Sequence, residues 1–175
     1  MIGRLIGAAL LVLAFGAAPA KADCGGYAHM TWTKGVSADA MSQGATCADA
    51  IVTVVLRDAT GKPLWVETFI GAQVMIFAGV ADLKAMNAAL KDWIDQSHSQ
   101  LGRSDKLPDW PQGADAPKAG EFPFYPDGGV DREAYMKLRT AHVPMFCYVQ
   151  GMESMACVAL TSDGVTKVGV QTFPG

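Results

Sequence analysis

Residues 145–173 read MFCYVQGMESMACVALTSDGVTKVGVQTF, and this stretch decides the fold. Three apolar runs, 145–150, 155–161 and 165–173, are parted by two polar breaks at 151–154 and at Ser162-Asp163-Gly164. Runs of this length with turn residues between them predict a meander of three strands. Strands joined by tight turns run antiparallel. The cysteines specify the register. If Cys147 directly opposes Cys157, the turn centres on Met152, Val149 faces Met155 and Met145 faces Ala159, all apolar. A slip of one residue would send one sulfur to the opposite face, whereas direct opposition brings the two within bridging distance.

Working outward, residues 51–57 are β-branched and apolar, 58–63 (DATGKP) form a turn, and 64–70 return, which predicts a hairpin. Tyr27 to Thr33 alternates, with Tyr27, His29, Thr31 and Thr33 on one face. The small, polar stretch 35–46 reads as a loop. Val80, Leu83, Met86, Leu90, Trp93 and Ile94 recur at helical spacing, predicting an amphipathic helix that stops near Gly102. A shorter helix covers 131–141, with Asp131 as its cap and Val143-Pro144 as its end. Between the helices, residues 102–129 hold Pro108, Pro111, Pro117, Pro123 and Pro126, five of the nine prolines. That density excludes a helix or a central strand. Four large aromatics, Trp110, Phe122, Phe124 and Tyr125, argue for an ordered irregular segment rather than a flexible linker. The expectation is an α+β fold: one antiparallel sheet of about five to six strands, in the order strand, hairpin, helix, irregular segment, short helix, three-strand meander, with the helices packed on one side.

The N-terminus sets the compartment. Arg4 precedes an apolar run, 5–15, that is too short to span a bilayer, and Ala20-Lys21-Ala22 offers a small-x-small cleavage site. Residues 1–22 therefore read as a secretory signal peptide, and 23–175 as a single α+β domain. No later apolar run is long enough for a membrane span, so no membrane insertion is expected after cleavage. The expected location is the periplasm of a bacterium or the medium outside it. Four cysteines, Cys24, Cys47, Cys147 and Cys157, then read as two disulfides. Three pairings are possible. The spacing favours Cys24–Cys47 and Cys147–Cys157, each local in sequence. A net charge of −3 argues against nucleic acid as a partner.

Motifs of known enzymes are missing: the chain has no G-x-S-x-G, no H-E-x-x-H and no phosphate-binding Gly loop. The strongest candidate site is the aromatic segment, where Trp110, Phe122, Phe124 and Tyr125 can line a groove for an apolar ligand or a partner surface, or instead dock the segment onto the sheet. His142, Met145, Met152 and Met155 flank the Cys147/Cys157 hairpin and supply the imidazole and thioether ligands that suit Cu(I). Asp95 and His98 stand three residues apart, a spacing that can contribute two metal ligands. A hydrolase would need His98 or His29 brought together with an Asp and a Ser in space. The resulting expectation is an exported, disulfide-stabilised domain with a non-enzymatic binding or accessory role, its partner a small molecule or a protein, and no cofactor. Copper handling and a cryptic hydrolase are the alternatives.

Overall fold

The computed structural model describes residues 24–173; the proposed signal peptide lies outside the described residues. The chain first lays down a four-stranded antiparallel meander, β1 (Tyr27–Thr33), β2 (Val36–Gln43), β3 (Ile51–Asp58) and β4 (Pro63–Ile70), in spatial order 1-2-3-4. Two 3-10 turns, Gly71–Gln73 and Met75–Phe77, lead to helix α1 (Leu83–Ile94). Further 3-10 turns at Gln96–His98 and Ser104–Lys106 precede β5 (Phe124–Pro126) and helix α2 (Arg132–Ala141). The meander β6 (Met145–Val149), β7 (Ser154–Thr161) and β8 (Gly164–Thr172) follows. With β5 it makes a second antiparallel sheet in the order β5-β8-β7-β6.

The fold is thus α+β and mostly sheet, but it has two sheets of four strands, not one of five to six. Two strands account for the difference. Residues 36–43, expected as loop, are a central strand paired on both sides. Its sequence, VSADAMSQ, has weak β-propensity, yet Val36, Ala38, Ala40 and Ser42 are all buried. Small residues serve there because α1 packs directly against β1 and β2. At the same place a Cβ on Gly26 would come within 2.8 Å of Leu90 Cδ1. The other addition is β5, inside the proline-rich segment. It is an edge strand of three residues, the kind of position proline tolerates. Its approach to β8 depends on Gly169, where any Cβ would collide with the Tyr125 carbonyl and lie 2.7 Å from the Phe124 ring.

The second sheet separates two apolar cores. On one side Phe146, Tyr148, Ala156 and Val158 pack with Val52, Val54 and Leu56 of β3 and with Met86, Leu90, Trp93 and Ile94 of α1. On the other side Met145, Cys147, Cys157, Ala159 and Val168 pack with Leu101, Leu107, Trp110, Phe124 and Tyr135. The helices therefore do not share a side: α1 belongs to the first core, and α2, through Tyr135, to the second. A polar link crosses the first core. The Trp65 indole donates to the Tyr148 hydroxyl (2.9 Å), which donates to Glu67. Burial, and then the Glu67 hydrogen bond, push the Tyr148 phenol far above its ordinary pKa, so it stays a donor.

Both disulfides form in the favoured pairing, Cys24–Cys47 and Cys147–Cys157, with Cα separations of 5.0 and 4.1 Å. The ladder opposes Cys147 to Cys157, Val149 to Met155 and Met145 to Ala159, as the turn at Met152 requires. Helix α2 has the expected cap, Asp131 accepting from the Ala134 amide at 2.8 Å. Helix α1 is shorter than its stripe predicts. It begins after Asp82, which caps Ala85 N at 2.8 Å, and stops at Ile94. Asp95 instead caps a new turn, accepting from Ser97 N at 2.9 Å. That turn presents Gln96 to the edge of the second sheet. Its amide donates to the Cys147 carbonyl and accepts from the Cys147 N–H, both at 3.0 Å. An open strand edge invites pairing with other chains, and the Gln96 side chain occupies this one.

Candidate functional groove at the end of the second sheet

Four separate segments converge on the turn between β6 and β7. The Met75 amide donates to the Gly151 carbonyl (3.1 Å), which fixes the loop after β4 beside this turn. The Phe173 amide donates to the Glu153 carbonyl (3.1 Å) and brings in the end of β8. Thr172 N to Pro123 O (2.9 Å) and Gln171 Nε2 to Phe122 O (3.3 Å) hold the end of the aromatic segment alongside. From α1, the Trp93 indole donates to the Val149 carbonyl at 2.7 Å.

These contacts leave two adjoining cavities. One, of about 400 Å³, is lined by Met75, Ile76, Trp93, Val149 and Met155, with Asp92, Asp95 and Ser99 as its polar part. The other, of about 310 Å³, adds Phe122 and Phe173 together with Gln100 and Gln171. Met75, Val149 and Met155 line both, so the two form one groove. Each volume lies in the range that holds a small ligand. Two thioethers in the wall suit an adaptable apolar surface, because methionine has three rotatable bonds and a polarisable sulfur.

The four aromatics named from sequence do not form a single cluster. Trp110 and Phe124 are buried in the second core, each ring against Tyr135 with centroids 5.4 and 6.2 Å away. The Trp110 indole is satisfied by the Ala114 carbonyl at 2.8 Å. These two rings dock the segment. Phe122, 40% exposed, lines the groove, and Tyr125, 56% exposed, stands on β5. Neither Met75 nor Phe173 has a local sequence signal, because the groove exists only where distant segments meet.

The soft-ligand set is spread out. His142 is the exposed C-cap of α2, Met145 is fully buried in the second core, Met152 is exposed in the β6–β7 turn, and Met155 lines the groove. Along β7, Met155 and the residue opposite Met145, Ala159, are four residues apart, about 13 Å at strand rise. Among the described residues no group of three or more His, Cys, Asp or Glu is placed to hold a metal ion. His98 closes the turn Gln96–His98, and its side chain lies outside those described. His29 does meet an aspartate: its Nδ1 lies 2.8 Å from Asp39 Oδ1.

No protein-family model, curated protein or solved structure matches the chain. The functional reading rests on this geometry alone.

Proposed function

We propose that the chain is an exported bacterial binding or accessory protein whose groove at the β6–β7 end takes a small, largely apolar ligand. The observation that carries this reading is the pair of adjoining cavities that share Met75, Val149 and Met155. The apolar walls, with two adaptable methionines among them, suit such a ligand. Export, with residues 1–22 removed and 23–175 acting as one domain in the periplasm or outside the cell, is supported by the two disulfides, which persist in oxidising compartments. No helix among the described residues is long and apolar enough to cross a membrane.

Trp93 lines the groove and reports on it. Titration with the neutral probe 4-phenylbutan-1-ol is expected to change tryptophan fluorescence saturably. Phe122→Ala, which removes an apolar wall, and Met155→Glu, which puts a charge into one, should both weaken its binding at least about tenfold, a difference of roughly 1.4 kcal/mol. Absence of saturable binding, or equal affinity in both variants, would overturn the assignment. N-terminal sequencing of exported material tests the compartment, and an intact Met1 in membrane fractions would contradict it.

A further inference from the structure

The outer face of the first sheet carries a buried carboxylate among side chains that are mostly open to water. Val66, Ile51 and Ile70 on this face are each at least half exposed. Asp39, on β2 of the same face, is 6% exposed, and among the described residues it is the only charged side chain that is buried. It lies directly between His29 on β1 and Val55 on β3. Its Oδ1 accepts from the Tyr27 hydroxyl at 2.7 Å and lies 2.8 Å from His29 Nδ1, while Oδ2 accepts from Arg57 Nε at 2.8 Å. Arg57 is held in turn by the Gly61 carbonyl at 3.1 Å. Burial pushes the Asp39 carboxyl up, but the donors His29, Tyr27 and Arg57 outweigh it and hold the group below its ordinary pKa.

Arg57 alone would balance this charge. His29 is an addition, and its geometry has a chemical consequence. An ionised carboxylate only accepts, so the neutral imidazole carries its proton on Nδ1 and its lone pair on Nε2. The His29 side chain is 52% exposed, and Nε2 is the ring nitrogen not turned to Asp39. One ladder step along the same face, Tyr27 and Met41 are opposed, and Met41 opposes Thr53. Those three residues, with Ile51 and Gly25-Gly26, line a cavity of about 470 Å³. An imidazole oriented by a buried carboxylate beside a part-apolar cavity is the base half of an acid–base site.

We propose that His29 is a general base, positioned by Asp39, for hydrolysis of small neutral carboxylic esters whose apolar part occupies the cavity beside Tyr27. Nε2 takes one proton from water as the water oxygen bonds to the acyl carbon. The tetrahedral adduct then breaks its C–O bond to the alcohol portion, which leaves with the proton returned from Nε2. One ester and one water give one acid and one alcohol, with no cofactor. The substrate is neutral because the charges of the site, Asp39 against Arg57, already balance. The cavity shares no residue with the groove at the β6–β7 end, so the two readings fail independently.

The test uses the full chain with its disulfides oxidised and p-nitrophenyl butyrate near neutral pH, following release of p-nitrophenolate. Saturable hydrolysis is expected. His29→Gln should lower kcat/KM by about 100-fold or more, within the usual range for general-base catalysis. Asp39→Asn should lower kcat with KM unchanged, the mark of a positioning residue. Ile51→Trp, which narrows the cavity, should raise KM and spare kcat, and His142→Gln should change nothing. The half-exposed His29 can be replaced without removing a core contact, and a thermal melt confirms that His29→Gln is folded. Its result decides even if Asp39→Asn fails to fold. A rate that rises linearly without saturation, or one undiminished in His29→Gln, marks an ordinary surface imidazole and overturns the proposal.

Discussion

The two sheets have the same number of strands and the same antiparallel sense but opposite relations to water. The first buries one face and exposes the other, so β3 alternates between core residues such as Val52 and Val54 and outward residues such as Ile51 and Thr53. The second is covered on both sides, and β6 reads MFCYV with its first four residues buried. One-sided burial produces alternation and two-sided burial produces a continuous apolar run. The difference bears on function. A doubly covered sheet leaves room for a ligand only at its ends, which is where the groove lies. An exposed sheet face can carry chemistry in its middle, and there Asp39, His29, Tyr27 and Arg57 meet.

The largest effects should come from the two cores on either side of the second sheet. Trp93 sits in the first and Trp110 in the second. Trp93→Ala should cost about 3–5 kcal/mol and Trp110→Ala about 3 kcal/mol, as for large aromatics removed from packed sites. Because β6 and β7 belong to both cores, both variants should shift one common urea transition seen by fluorescence and by far-UV circular dichroism. Two separable transitions would mean that the cores are independent and would break the single-domain reading.

The disulfides sharpen the comparison at the next level. One ties the N-terminal end of the first sheet to the loop between β2 and β3, and the other staples two strands of the second. Replacing either pair by alanine should cost about 2–4 kcal/mol. Their sequence separations are 23 and 10, a little over a factor of two. Loss of Cys24–Cys47 should therefore cost about 0.7 kcal/mol more, from loop entropy alone. Denaturant midpoints of the two double variants decide this. A reversed order would place native packing above chain entropy.

Asp39→Asn probes the exposed face. It removes a charge from three donors and should cost about 1–3 kcal/mol. The folded-state pKa of Asp39 is depressed. Its contribution is therefore fully present above the unfolded carboxylate value, about 3.9, and is lost as pH falls through the lower folded value. The gap between wild type and Asp39→Asn should narrow below about pH 4. A gap that stays constant into acid would show that Asp39 acts by packing and not by charge. The smallest effect is expected at His142, which ends α2 with φ of +52°. Glycine is the usual residue at such a cap. His142→Gly should gain about 0.5 kcal/mol, the left-handed strain relieved less the entropy that glycine loses. An unchanged or lower melting temperature would show that the weak ion pair of His142 with Asp105, at 3.6 Å, matters more than backbone strain.

Much of this was legible in the chain because the governing forces are local. The hairpin β3–β4, the meander β6–β8, the cap of α2 at Asp131 and the register at Cys147 and Cys157 all follow from periodicity, turn chemistry and one covalent constraint. Strand β2 was not legible, since VSADAMSQ has small polar residues whose strand state depends on partners on both sides and on a helix needing space. Of the site residues, Phe122 was singled out from sequence and Met155 only as a soft ligand. Met75, Val149 and Phe173 were not, because their meeting depends on three backbone hydrogen bonds between distant segments, with the Trp93 indole and the Gln171 amide adding two more.

The sequence by itself determined the α+β class and the identity of most elements, and favoured one of three disulfide pairings, because hydrophobic period and residue spacing act within a few residues along the chain. Only the tertiary structure decided that there are two sheets, that the second is covered on both faces, and that Asp39 and His29 meet on the exposed face of the first. A strand's pattern records that a face is buried but not what buries it. That depends on contacts between residues far apart in sequence, which no local period encodes.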